Sequence, residues 1–457
     1  MWSKHEFIDF FVYLLDVKRL FYIIIDLLIV YGSIVLSYFL LSQLDLLEDF
    51  QRNFEAFEII MPFIGIIYII LMYVFGLYSI NHQNVNEVIY VVFLISVLLT
   101  LSIMGISFFI RGVALAFPRS VIILSALFYF IFLSFWRALI VFISRKVNRI
   151  KEITIIGDKD SKLSEAITNK YYKQYKIENK CDDFDSSTDF EAIIKSVDQV
   201  FMTTNIPQTI RRKILSFSIS HKKEVFFIPE YFDLSIMSAM SDKLDDIPTC
   251  RINYIELSPE EGFVKRILDI ILACVALIIA FPFALVAALF VKLDGGPILY
   301  SQERLTKDNK PFRMLKFRTM IPDAERLSGP VLAGEDDPRI TKVGKFLRLI
   351  RMDEVPQLIN ILKGDMSFVG PRPERPFFVE QFEREIPEYH YRSAVKAGLT
   401  GLAQVEGKYN TSVENKLRYD LIYINNYSLW RDFLIILRTI RILFMKSSTE
   451  GVSPNNP

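Results

Sequence analysis

Apolar residues fall into four long runs in the first third of the chain, roughly 20–44, 59–80, 88–110 and 119–143. Each reaches the ~20 residues that cross a bilayer as a helix. The polar intervals between them are short, so 1–145 is predicted to be a four-span transmembrane bundle. Flanking charge orients it. Lys18 and Arg19 precede the first run, the loop after it carries Asp45, Glu48 and Asp49, and Arg145, Lys146, Arg149 and Lys151 follow the fourth. Basic flanks stay in the cytoplasm, which places both ends of the bundle there. Asp26 is the one acid inside these runs. It lies near the start of the first, within reach of interfacial water or a neighbouring helix, and is read as structural.

The pattern changes over 146–256. Short β-type runs at Glu152–Ile156, Gln199–Thr203 and Glu224–Ile228 alternate with helix-like stretches such as Ile210–Ile219, which predicts a small Rossmann-like α/β domain. A dinucleotide site needs glycines after its first strand so that phosphate can approach the backbone. Here the strand runs into Gly157-Asp158-Lys159-Asp160-Ser161, where one glycine and two acids make a poor cradle. Tyr172-x-x-x-Lys176 has the spacing of a short-chain reductase pair, but in a lysine-rich helix without the glycine fingerprint it is read as coincidence. The domain is degenerate, and a regulatory or scaffolding role is expected.

The third region, 257–457, opens with a helix expected over 263–293, whose apolar run from Ile267 to Leu293 is interrupted by Pro282. A proline there removes a helix hydrogen bond and predicts a kink. As a straight fifth span the segment would send everything after Leu293 across the membrane; as a re-entrant hairpin bent at Pro282 it would return to the same face. Lys265 and Arg266 precede the apolar run, and Lys292 at its end is followed by Arg304, Lys307, Lys310, Arg313, Lys316 and Arg318. Basic flanks on both sides favour the re-entrant form. The predicted fold is thus mixed membrane α and α/β: the four-helix bundle, the small Rossmann-like domain, and a mostly α domain with a Pro-kinked re-entrant helix.

Composition agrees with this pattern. A hydrophobic fraction of 52% with 39 Phe is too apolar for an ordinary soluble enzyme. The formal net charge of +1 gives no sign of a nucleic-acid partner, and none is expected. Cys181, Cys250 and Cys274 lack metal or disulfide spacing and are read as reduced packing residues. The first segment lacks the short apolar core and cleavage site of a removable signal and is expected to stay.

The densest chemistry lies at Arg351-Met352-Asp353-Glu354-Val355-Pro356-Gln357. Asp is a favoured cap and Pro is tolerated in a first turn, so Asp353 and Glu354 are expected at the positive end of a helix. That end favours an ionised carboxylate and a phosphoryl group near it. A carboxylate can attack phosphorus while its neighbour binds Mg²⁺ or orients the acceptor. Cations surround the pair in sequence. Lys316 and Arg318 share a face of the strand-like Lys316-Phe317-Arg318-Thr319-Met320, Arg348 lies about one turn before the dyad, and Arg372 sits between Pro371 and Pro373. Downstream, the stretch from Gly398 to Lys408, which includes Gln404, is a glycine-punctuated loop able to approach a ligand closely.

In this order these residues resemble the monotopic phosphoglycosyl transferases, the polyprenyl-phosphate hexose-1-phosphate transferases. The likeness covers Lys265 to about Tyr427, through Lys265-Arg266-Ile267-Leu268-Asp269, Lys316 to Met320, Asp353-Glu354, Leu362 to Ser367, Val369 to Pro373 and Gly398 to Gly407. The bundle plus degenerate α/β domain resembles the long bacterial members. The resemblance implies a ping-pong transfer at the cytoplasmic face of the bacterial inner membrane. Asp353 attacks the β-phosphate of a UDP-sugar, UMP leaves, and undecaprenyl phosphate takes the sugar phosphate from the aspartate. Glu354, with Asp353, would hold Mg²⁺; Lys316, Arg318, Arg348, Arg372, Gln404 and Lys408 would bind phosphate and nucleotide-sugar. Lys265 and Arg266 would open the re-entrant helix and Pro282 would bend it. The product would start an exopolysaccharide, capsule or O-antigen repeat, and the resemblance extends to membrane lipid as a partner and to a homodimer. Three positions depart from the family pattern: Phe281 stands where serine is common, Arg304 to Lys310 lacks the usual glycines, and Lys408 replaces arginine. Two rival readings are a membrane nucleotide-sugar dehydratase or epimerase, which would need the missing glycine fingerprint, and a non-catalytic membrane scaffold.

Overall fold

The structure is a computed structural model that describes residues 17–47, 50–77, 85–110, 118–147, 150–159, 162–170, 174–182, 184, 188–204, 206–237, 239–244, 247–252, 257–321, 337–407 and 411–443. The chain divides into two compact units, one within Glu6–Glu230 and one within Tyr231–Pro457. Among the described residues, five helices are long and apolar enough to cross a membrane.

Four of these are in the first unit: α1 (Val17–Gln43), α2 (Phe50–Val74), α3 (Val85–Ile110) and α4 (Arg119–Val147). They pack α1 on α4, α4 on α3, and α2 on both α1 and α3. Each leaves a broad apolar face outward, with Phe39, Phe63, Phe93 and Phe135 exposed. Inside, several polar groups find partners within the bundle. Ser33 and Ser37 hydroxyls donate back to the carbonyls four residues earlier, and the Tyr129 hydroxyl of α4 meets Thr100 and the Ser96 carbonyl of α3. Asp26 is fully buried and pairs with Arg137 of α4. A charge in an apolar interior is tolerated only when paired, so this pair joins the first and fourth helices.

After α4 the chain forms β1 (Lys151–Ile156), α5 (Lys162–Lys170), β2 (Tyr175–Cys181), α6 (Phe190–Ser196), β3 (Gln199–Met202), α7 (Gln208–Ser220) and β4 (Glu224–Phe227). The sheet order is β2-β1-β3-β4, all parallel, as the alternating pattern predicts. β1 is buried on both faces, whereas β2 is an edge strand whose residues alternate between half-buried and exposed. The expectation of a helix around Lys176 is therefore corrected. Lys176 lies on β2, ion-paired with Glu178 at 2.8 Å and Glu152 at 3.8 Å. Tyr172 lies outside the described residues. The α/β domain also explains its poor cradle. The buried Asp158 carboxylate accepts from the backbone N–H groups of Leu163 at 3.1 Å and Ser164 at 2.7 Å. The donors at the start of α5 that would face a dinucleotide phosphate are thus taken by the chain itself.

The second unit begins with α8 (Tyr231–Met237), the hairpin β5 (Met240–Leu244) and β6 (Ile247–Arg251), and α9 (Pro259–Leu293). Ser258 starts α9 with a capping box, its hydroxyl accepting from Glu261 N–H and Glu261 reaching back to Ser258 N–H, with Pro259 at the first helical position. Pro282 lies inside the helix, which runs unbroken from Pro259 to Leu293. Next come the hairpin β7 (Leu299–Leu305) and β8 (Pro311–Phe317), α10 (Lys342–Leu349), α11 (Gln357–Lys363), β9 (Ser367–Val369), α12 (Pro376–Glu385), β10 (Gly398–Thr400), α13 (Leu402–Glu406), α14 (Val413–Asn425) and α15 (Leu429–Leu443). The hairpin turn, which lacks the family's glycines, places Asp308 and Asn309 at positive φ instead. Among residues with a side chain, Asp and Asn tolerate the left-handed conformation best.

One narrow face of α9 meets the rest of this unit along the helix's length. Ala273, Ala276 and Leu277 pack with Phe312, Met314, Leu358 and Ile361. Beyond Pro282, Ala284, Ala287, Ala288 and Val291 pack with Phe317, Val343, Leu347 and Met352. Small residues on that face let β8, α10 and α11 come close. The rest of α9 is exposed and apolar, from Phe263 through Ile278, Phe281 and Phe283 to Leu293.

Candidate active site

Arg351 adopts a left-handed conformation (φ 57°) that separates α10 from the short 3₁₀ turn Met352–Glu354, and α11 starts only at Gln357. The expected placement of Asp353 as a helix cap is thereby corrected. Pro356 precedes α11, and no side chain caps that helix. The dyad stands on its own tight turn, with Asp353 7% exposed.

Two cations converge on Glu354. Lys316 Nζ, from β8, donates to Glu354 Oε1 at 2.9 Å, and Arg372 Nη2 donates to the same oxygen at 2.9 Å. Lys316 Nζ also lies 3.9 Å from Asp353 Oδ2. Among the described residues, the Asp353 carboxylate accepts no hydrogen bond. Electrostatics therefore separate the two acids. Burial pushes the Asp353 carboxyl up, Lys316 opposes that, and the adjacent Glu354 charge adds to the rise. Burial would raise Glu354 as well, but Lys316, Arg372 and Arg351 outweigh it and hold the carboxyl well below the usual carboxylate range. Glu354 is the fixed anion of the pair. Asp353 is desolvated and, among the described residues, accepts no hydrogen bond, so its carboxylate could act on an electrophile brought beside it.

Arg348 lies alongside. Its Nε donates to Thr319 Oγ1 at 2.9 Å, and its charge lowers the Asp353 pKa. A Cβ on Gly344 would meet the Thr319 carbonyl at 2.1 Å, so only glycine lets α10 approach this strand end. Arg318 shares the strand face with Lys316 but not its partners. Its guanidinium donates to the carbonyls of Pro297 (2.9 Å), Met320 (3.1 Å), Val291 (3.0 Å) and Gly295. It closes the end of α9, away from the dyad. Lys265 and Arg266 are likewise tied into the fold. Lys265 pairs with the buried Asp432 of α15 and contacts the Tyr423 hydroxyl at 3.3 Å. Arg266 donates to the Ile361 and Leu362 carbonyls at 2.5 and 2.7 Å, at the C-terminal end of α11. Gln404 Nε2 donates to the Leu399 carbonyl at 3.1 Å, and Lys408 lies outside the described residues.

The glycines from 398 on serve backbone packing. A Cβ on Gly398 would lie 2.1 Å from Gly370 N, and one on Gly401 would lie 2.2 Å from the Gly370 carbonyl oxygen. This close approach of β10 to β9 fixes the turn from which Pro371, Arg372 and Pro373 emerge. Two residues that sequence reasoning passed over complete the support. Asn360, buried in the apolar stretch Leu358–Leu362, donates to the Arg313 carbonyl at 2.8 Å and accepts from Leu315 N–H at 3.0 Å, joining α11 to the strand that carries Lys316. Arg392 donates to the Arg372 carbonyl at 2.8 Å and pairs with the buried Asp420 at 3.0 Å. An asparagine amid apolar helix residues was the available signal for the first; nothing local marks the second.

Two carboxylates set among several cations, beside an exposed apolar helix, could seat a phosphoryl group next to a membrane surface. The comparisons specify its class. The bacterial sugar transferase family profile matches residues 260–446. Over 222 residues the chain is 41% identical to the UDP-N-acetylgalactosamine-undecaprenyl-phosphate N-acetylgalactosaminephosphotransferase of Aeromonas hydrophila, covering 47% of this chain and 52% of that protein. It is 34% identical over 265 residues to the UDP-glucose:undecaprenyl-phosphate glucose-1-phosphate transferase of Klebsiella pneumoniae, covering 56% and 57%. It is 42% identical over 184 residues to the enzyme of that same description in Caulobacter vibrioides, covering 38% and 68%. The chain belongs to the bacterial sugar transferase family. Its match spans about half the length of the Aeromonas and Klebsiella relatives.

Proposed function

We propose that this protein transfers a sugar 1-phosphate from a UDP-sugar to undecaprenyl phosphate at the cytoplasmic face of the bacterial inner membrane. The observation that carries the reading is the division of labour in the dyad: Glu354 is clamped by Lys316 and Arg372, while Asp353 is buried and, among the described residues, accepts no hydrogen bond. In the first step an Asp353 oxygen bonds to the β-phosphorus as the bond from that phosphorus to the bridging oxygen breaks. UMP leaves with the bridging oxygen, and the sugar phosphate stays on the aspartate as an acyl phosphate. In the second step a phosphate oxygen of undecaprenyl phosphate attacks the same phosphorus, forming the diphosphate and returning the Asp353 carboxylate. Lys316, Arg372 and Arg348 stabilise the charge that builds on the phosphoryl oxygens in each displacement, and being held in place beforehand they need little reorganisation.

The donor set suits Mg²⁺, which binds through one or two carboxylates together with substrate phosphates. Asp353 and the Glu354 oxygen not engaged by Lys316 and Arg372 would hold it. Bound there, it would neutralise diphosphate charge.

The four N-terminal helices are read as spans with both ends cytoplasmic, and α9 as a re-entrant element. Packing of its two halves, before and after Pro282, against one polar catalytic body supports the latter. A straight span would drag that body into the bilayer, where its unpaired polar surface is costly. A shared interface brings a water-soluble donor and a lipid-borne acceptor to one carboxylate, and the product begins an exopolysaccharide, capsule or O-antigen repeat. The dehydratase reading is disfavoured by Asp158, which occupies the phosphate seat of the α/β domain.

The test is UMP release by the full-length protein in membranes containing undecaprenyl phosphate, across UDP-glucose, UDP-galactose and their N-acetylated forms. At least one donor is expected to release UMP, with the release lost on chelation and restored by Mg²⁺. No release from any of them overturns the reading, and release untouched by chelation removes the metal.

A further inference from the structure

The antiparallel register of β7 and β8 sets Tyr300 directly opposite Lys316. Directly opposed residues share a sheet face, so Tyr300 projects from the same face of the hairpin as Lys316, whose ammonium reaches Glu354. The residue is 42% exposed. Its hydroxyl end is held by a row of side chains along β7. Gln302 Nε2 donates to the Tyr300 oxygen at 3.2 Å, and Gln302 Oε1 accepts from Arg304 Nη2 at 2.7 Å. Arg304 Nη1 lies 3.4 Å from both the Pro373 carbonyl oxygen and Glu374 Oε2. The row therefore runs along β7 from the turn that follows Arg372 to Tyr300, the register partner of Lys316 on β8.

We propose that Tyr300 is the platform on which the uracil ring of the donor stacks, a step that rests on the UDP-sugar reading above. A phenol anchored at its oxygen and exposed beside a phosphate site presents its ring in a fixed orientation. A planar base matches such a surface, because base stacking on an aromatic side chain needs no hydrogen-bond partner. The donor's hexose would need partners for its hydroxyls, and here the phenol oxygen and the Gln302 amide are already engaged with each other. Tyr300 thus recognises what all the donors share and leaves the choice of sugar to other contacts.

The experiment measures UMP as an inhibitor of donor turnover by full-length protein in lipid, for wild type, Tyr300→Ala and Tyr300→Phe. Tyr300→Ala is expected to raise the UMP inhibition constant and the donor KM together by about ten-fold or more, the size of one lost base stack. Tyr300→Phe, which keeps the ring, is expected to retain most of the affinity. Tyr300→Leu repeats the test should the alanine variant melt early. Unchanged UMP inhibition in the alanine and leucine variants overturns the proposal, whether the change appears instead in sugar preference, placing the ring against the hexose, or in the KM for undecaprenyl phosphate, placing it against the acceptor. Equal loss in the phenylalanine variant also overturns it. Failure of the underlying reading shows separately, as a wild type that releases no UMP.

Discussion

At the residue scale, the site turns on one lysine shared unequally between two acids. Lys316 lies 2.9 Å from Glu354 and 3.9 Å from Asp353, so it fixes the first and tunes the second. In the proposed transfer the reacting form of Asp353 is the carboxylate. Its pKa is raised by burial and lowered by Lys316, so phosphosugar transfer to the enzyme should fall as the pH drops through a value above the ordinary 3.8. Removing the lysine takes away a lowering influence, and Lys316→Met should move that fall to higher pH, with the rate at its plateau reduced about 100-fold. A single-turnover pH profile checks this; an unmoved profile would mean that Lys316 does not act on Asp353. The dyad, Lys316 and Arg372 were legible in the sequence because their charges cluster around one motif. Arg318 was not. The strand pattern places it beside Lys316, but its donors go to main-chain carbonyls that only the folded end of α9 brings near. Pairing between charged side chains leaves a trace in sequence, whereas pairing with backbone leaves none.

At the element scale, regular patterns were readable and their ends were not. The strands of the buried sheet read as apolar runs, but β2 alternates Lys and Glu with apolar residues at the sheet edge and passes for a polar helix. Asp353-Glu354-Val355-Pro356 looks like the start of a helix, yet a left-handed Arg351 and Pro356 leave the dyad on a separate turn. α9 was recognised by its length and its proline. Its docking face of small residues, by contrast, makes sense only against β8, α10 and α11. If both ends of α9 lie on one side of the membrane, cysteines placed at Glu260 and Asp294, exposed positions at the two ends of the helix, will be labelled from the cytoplasmic side in a background lacking Cys181, Cys250 and Cys274. Labelling from opposite sides would establish a true span.

At the scale of the whole molecule, the family match and the dyad both lie in the second unit. The first supplies apolar helices joined by Asp26 and Arg137 and an α/β domain whose phosphate seat Asp158 fills. A two-step transfer through a covalent enzyme is the claim that unites the site, the apolar helix and the family. It is tested most directly by intact-protein mass spectrometry after mixing the full-length protein with a UDP-sugar it turns over, in the absence of undecaprenyl phosphate. The wild type should gain the mass of one sugar phosphate, located on Asp353, and lose it when the acceptor is added. Asp353→Asn should gain none while melting no lower than wild type, because an acid whose folded pKa is raised costs stability when ionised and the amide removes that cost. UMP release with no adduct in the wild type, or an adduct that persists in Asp353→Asn, would contradict the account.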